Sequence, residues 1–124
     1  MKTQIVCGGA PQAIGPYSQA VKNNGMLFVS GQLGLDVQTG VIPEDAAGQA
    51  RRSLENIKRI ITEAGGTMDD LVRCTVFLKD MNEFAAMNEV YAEFFKEPYP
   101  ARTTVEVARL PKDVKVEVDA IAML

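Results

Sequence analysis

The chain has 124 residues, 47% of them hydrophobic and 23% charged, with a net charge of −3; this is the make-up of one globular domain over 1–124, long enough for a real core. The acidic balance argues against a nucleic-acid footprint, which needs clustered positive charge, and no apolar run approaches the ~20 residues of a membrane span. There is no histidine, and the two cysteines, Cys7 and Cys74, form no C-x-x-C pair, which excludes histidine-based nucleophile systems, makes a zinc site improbable and suits a reducing, cytoplasmic setting.

In chain order the sequence reads β-β-β, helix, β, helix, β-β. Met1-Lys2-Thr3-Gln4 leads into no signal-peptide core. No Walker A or G-x-G-x-x-G loop follows. Residues 26–31 make a short apolar strand ending in Ser30-Gly31. Residues 32–42 read as a further strand and hairpin, turned by Gln38-Thr39-Gly40. Pro43 stops that strand, and Asp45 is placed to cap a helix. From there Ala47, Ala50, Leu54, Ile57, Ile61 and Ala64 recur at three and four, one buried helix face. Gly65-Gly66 ends the helix through a left-handed residue. Residues 71–78 form a strand apolar on nearly both sides. Asp80 to Glu83 has the form of a capping box. Phe84, Met87, Val90, Tyr91 and Phe94 give a second amphipathic helix, ended by Pro98 and Pro100.

The stretch from Pro100 to Pro111 alternates as a strand. Arg102, Thr104 and Glu106 share one face; Thr103, Val105 and Val107 share the other, and the valines ask for a core. An arginine at the start of a strand, next to Pro100-Ala101, can grip a planar carboxylate with two parallel hydrogen bonds. A solvated edge strand with ordinary surface charges gives the same pattern.

In residues 114–122, Val114, Val116, Val118, Ala120 and Ala122 alternate with Lys115, Glu117, Asp119 and Ile121. The valine face should lie under the two helices. Two helices cover only one face of such a sheet, and the chain has no element left for the other. Self-association that packs sheet on sheet is the economical cover; a monomer with its sheet open to water is the alternative.

Ala13-Ile14-Gly15-Pro16-Tyr17-Ser18-Gln19-Ala20, Val29-Ser30-Gly31-Gln32, Thr75 to Asp80, and Pro100-Ala101-Arg102 through Leu110-Pro111-Lys112-Asp113 resemble the RidA/YjgF family of reactive-intermediate deaminases over nearly the whole chain. The resemblance implies an α+β, chorismate-mutase-like fold: a six-stranded mixed sheet with two helices on one face. It implies a homotrimer with a central β-barrel and sites in the clefts between subunits. It implies hydrolysis of 2-imino acids, such as 2-iminobutanoate and 2-iminopropanoate, to 2-keto acids and ammonia, with no cofactor and no metal.

Carried onto this chain, the family pattern makes Arg102 the carboxylate-binding residue and puts Tyr17, Ser30 and Gly31 in the cleft. Backbone groups near Gly31 would hydrogen-bond the imine nitrogen. Two departures stand out. Thr104 occupies a position where the family often has cysteine, so thiol chemistry is not required, while a hydroxyl can still orient water. Asp119 takes the place of the family's acidic residue in the last strand and would position or activate water; Glu117 and Glu106 are the weaker substitutes. Tyr17 as a buried aromatic and Asp119 as an interface carboxylate are the structural alternatives. The competing functions are a trimer that binds keto acids without turnover, an RNA-directed activity, and a chorismate mutase.

Overall fold

The computed structural model describes residues 1–124. Strands β1 (Thr3–Ile5), β2 (Ala20–Asn23) and β3 (Met26–Leu33) precede helix α1 (Ala46–Glu63). Strand β4 (Leu71–Leu78), helix α2 (Phe84–Glu93), β5 (Ala101–Glu106) and β6 (Val116–Met123) follow. The six strands form one sheet in the order β1-β2-β3-β6-β4-β5. Only β4 and β5 pair in parallel; the other pairs are antiparallel. A parallel pair needs a crossover, and α2 supplies it. Asn24 and Gly25, both at positive φ (51° and 77°), make the tight turn between β2 and β3, because that turn's twist matches the strands it joins.

Asp45 caps α1, its Oδ1 accepting the Gly48 N–H at 3.3 Å. Leu54, Ile57, Ile60 and Ile61 are fully buried against the sheet, each stabilising the fold by about 1.5–3 kcal/mol. Gly65, at φ 94°, ends the helix, and the Gly66 N–H closes onto the Ile61 carbonyl at 2.9 Å. Under the helices lie Val116, Val118, Ala120 and Ala122 of β6 and Cys74, Val76 and Leu78 of β4, the valine face of the last strand as expected. The Gln49 side chain donates to the Pro43 carbonyl and accepts the Lys115 N–H, tying the start of α1 to the entry of β6.

Three expectations are corrected. Residues 34–42 form a turn rather than a strand: the Leu33 and Leu35 carbonyls accept from Asn56 Nδ2 on α1, at 3.1 and 2.9 Å, in place of a strand partner. In β5 the directions are inverted. Arg102 and Thr104 are half-buried on the α2 side, whereas Thr103 and Val105 are exposed on the far face. Helix α2 covers the polar row because its own facing side chains are suited to a guanidinium. The capping box is half-formed: Asp80 Oδ1 accepts the Asn82 N–H, while Glu83 turns to Lys115 at 3.9 Å.

The far face of the sheet is bare. Phe28, Val105 and Met123 are exposed there, beside half-buried Phe77 and Ile121. No helix of the chain is long and apolar enough to cross a membrane.

Candidate active site

Two groups of side chains stand out, one on each side of the β6–β4 pair. The first is built by β5 on α2. Register pairs Arg102 with Cys74 and Thr104 with Val76, so both β5 side chains face the helix. Phe84, Asn88 and Tyr91, spaced four and three apart, form one stripe of α2. The Arg102 guanidinium carbon lies 4.6 Å from the Tyr91 ring centre and 5.5 Å from that of Phe84. Its Nη1 donates to Asn88 Oδ1 at 2.7 Å. Arg102 takes part in none of the chain's ion pairs. Of five N–H donors, most are left for a ligand, and the aromatic faces hold the cation without neutralising it. Thr104 Oγ1, on the same face, is buried and has no partner.

Beneath Arg102 the Cys74 thiol is pushed up to about 11, chiefly by burial. Burial also holds the Tyr91 hydroxyl above its ordinary range. Both are protonated at neutral pH, so neither supplies a nucleophile.

The second group surrounds the end of β3. The β3–β6 register slips between Val29 and Gln32, a bulge that takes Ser30 and Gly31 out of the ladder. A side chain on Gly31 would collide with the Glu117 carboxylate. Only glycine allows this approach, and it brings an acid against an irregular stretch of backbone. Burial first, and the neighbouring Asp119 second, raise the Glu117 carboxyl above its usual range. Ser30 Oγ donates to the Ser18 carbonyl at 2.6 Å and so anchors the Tyr17 loop. Gly15, at φ 121°, shapes that loop as its position before Pro16 suggests. The Tyr17 side chain is exposed, not buried. Gln19 holds the base of the loop, accepting the Cys7 N–H at 2.7 Å and donating to the Cys7 and Pro11 carbonyls. Tyr17 and Gly31 line one cavity of about 550 Å³.

Asp119 stands apart from Gly31. Its Oδ1 accepts the Thr75 N–H at 3.0 Å, and it borders a hollow of about 340 Å³ on the bare face with Phe28, Arg73 and Ile121. Glu106 accepts the Met81 N–H at 2.8 Å and serves the turn before α2. A larger hollow, about 740 Å³, lies among Arg51, Lys58 and Arg59 on the solvent side of α1 and contains no expected site residue.

Expectation from the motifs thus brings Tyr17, Ser30 and Gly31 together in one place and Arg102 and Thr104 together in another. Asn88, Tyr91 and Gln19 were not singled out for these places, and Glu117 only as a weaker substitute for Asp119. The four-three spacing on α2 could have found Asn88 and Tyr91; nothing local distinguishes Glu117 from Asp119, because they share a strand face. Strand β3 is three strand positions from β5 in the sheet, about 14 Å at the usual spacing. Glu117 faces the bare side and Arg102 the helix side. One chain cannot close both groups on one small molecule.

The family profile described as Endoribonuclease L-PSP matches residues 7–124. The 2-iminobutanoate/2-iminopropanoate deaminase of Salmonella typhimurium is 51% identical over 126 residues, covering 99% of this chain and 98% of that protein. The crystal structure of E. coli TdcF with bound serine superimposes with a TM-score of 0.94 at 51% identity, covering 98% of each chain. That of RidA from an Antarctic Psychrobacter gives 0.95 at 44% identity, covering 98% of this chain and 99% of that one.

Proposed function

This chain belongs to the RidA/YjgF family, and on that premise we propose that it is a hydrolytic deaminase of 2-imino acids, active as a homotrimer with sites between subunits. The observation that carries this reading is the Arg102 guanidinium. It is fixed by Asn88 and two rings, has no acid of its own, and is suited to a carboxylate held by two parallel hydrogen bonds. The bound serine of the E. coli relative carries a carboxylate on its C2 carbon, as 2-imino acids do.

Arg102 fixes the substrate carboxylate and hence C2. Thr104 Oγ1 gives or receives one further hydrogen bond at that end. On the neighbouring subunit, the backbone freed at Ser30-Gly31 holds the imine nitrogen, and Tyr17 closes the cleft. Glu117, rather than Asp119, is the acid nearest Gly31. Its raised carboxyl suits it to pass a proton between water and nitrogen. Water adds to C2, and the C2–N bond breaks as the nitrogen takes a proton. The products are the 2-keto acid and ammonia. Asp119 acts on Glu117 through its charge. Because an iminium carbon is already electrophilic, positioning supplies much of the acceleration.

The test is a coupled assay. Threonine dehydratase generates 2-iminobutanoate in the presence of semicarbazide, and wild type or Arg102→Ala is added. Suppression of the semicarbazone by wild type alone supports the reading. Suppression by neither, with 2-oxobutanoate still bound, makes the protein a keto-acid binder without turnover.

A further inference from the structure

The segment that leads into β6 is strained at two consecutive residues. Lys112 and Asp113 have φ of 58° and 54°, the left-handed region that L residues occupy only when their surroundings impose it. Several contacts impose it here. Arg109 donates to both oxygens of Asp113, at 2.7 and 3.3 Å. The Asp113 N–H bonds the Leu110 carbonyl at 3.0 Å, and the Val114 N–H bonds that of Pro111 at 3.3 Å. Glycine would meet the same backbone at no steric cost, yet position 112 is lysine.

The strained turn puts this lysine on the wall of the cavity of about 550 Å³ shared by Tyr17 and Gly31. Ile14, Leu35 and Val37 make that wall apolar, and Lys112 is its one charged residue. Lys79 bonds the Ala108 carbonyl, Lys96 pairs with Asp69 and Lys115 with Glu83; Lys2, Lys22 and Lys58 are unpaired as well, but only Lys112 borders this cavity. Lys112 takes part in no ion pair. An apolar hollow with a single unpaired cation at its edge matches a small monocarboxylate with a short alkyl chain.

Resting on the deaminase reading, we propose that Lys112 is a second substrate-binding cation, on the Tyr17 half of the site. Arg102 sets the orientation of the carboxylate through its fork. Lys112 contributes a mobile point charge, which lowers the energy of the incoming anion without fixing its angle.

The full-length chain is compared with Lys112→Gly and Lys112→Arg. Three quantities are read: the melting temperature, KM and kcat in the semicarbazide assay, and Kd for 2-oxobutanoate by calorimetry at low and high salt. Lys112→Gly is expected to melt a few degrees higher, because the left-handed residue is relieved. Its KM and Kd rise about tenfold with kcat nearly unchanged, and its binding loses part of its salt dependence. Lys112→Arg keeps Kd near wild type. A Gly variant that is more stable but unchanged in KM and Kd overturns the proposal and leaves the role of Arg102 intact. If wild type binds 2-oxobutanoate without turnover, the deaminase reading fails and the Kd comparison alone judges Lys112. If wild type does not bind it at all, Lys112 has no such role.

Discussion

Two residues carry opposite electrostatic problems. Arg102 is a half-buried cation without an anion, and Glu117 is a half-buried acid beside another acid. Arg102→Lys keeps the charge but loses the planar fork and its stacking on Tyr91. Its kcat/KM is expected to fall roughly 100-fold at unchanged circular dichroism, and near-wild-type kcat/KM would remove the bidentate grip from the mechanism. For Glu117 the sign is fixed by direction. Its folded-state carboxyl is raised above the unfolded value, so the native state holds that proton more tightly. The group therefore costs nothing at pH below the ordinary glutamate range, and stability falls as pH rises through the ordinary value to the raised one. Glu117→Gln should be more stable than wild type near neutral pH, with a flatter stability profile above pH 4. Its kcat should drop about 100-fold, the usual scale for a lost acid–base group. A variant less stable than wild type at pH 7, with full activity, would make Glu117 a structural residue.

At the scale of elements, loops and helices were unequally legible. The buried face of α1 and the valine face of β6 could be read from spacing, since each meets one core. The direction of β5 could not. Alternation alone does not say which row faces the helices, and the choice is made by the Phe84-Asn88-Tyr91 stripe of α2, which takes Arg102. Residues 32–42 have strand composition, yet Asn56 captures their carbonyls. Motif matching pointed to Arg102 and Tyr17; the nearness of Glu117 to Gly31 depends on a bulge that no local pattern announces. The same holds for Gln19, whose buried amide ties Cys7 to Pro11. Gln19→Ala leaves the Cys7 N–H and the Pro11 carbonyl without their partner, while the Cys7 carbonyl keeps Gln12 Nε2 at 2.9 Å, a loss of about 1–3 kcal/mol for a buried group left unpaired. The melting temperature should fall and KM rise, as the Tyr17 loop loses its base. Unchanged amide exchange at residues 10–18 would show that Gln19 does not hold the loop.

For the whole molecule the bare sheet face and the divided site require one explanation. Phe28, Val105 and Met123 are exposed on that face, an apolar patch of the kind that marks an association surface, and Arg102 is out of reach of Glu117. The proposed ring of three copies would cover the first and unite the second, each cleft taking Arg102 from one subunit and Gly31-Glu117 from the next. Subunit mixing tests this directly. Arg102→Ala and Glu117→Gln chains are each nearly inactive alone. Unfolded together in equal amounts and refolded, they assemble at random. A cleft is intact when its Arg102 comes from a Glu117→Gln chain and its Glu117 from an Arg102→Ala chain. With random mixing this holds in about a quarter of clefts, so activity should return to about a quarter of wild type. Sites contained within single chains would regain nothing, since every chain carries one lesion. Recovery near a quarter, lost again when Val105→Lys on the bare face separates the subunits, would locate the chemistry between copies; no recovery from well-formed mixed trimers would return it to one chain.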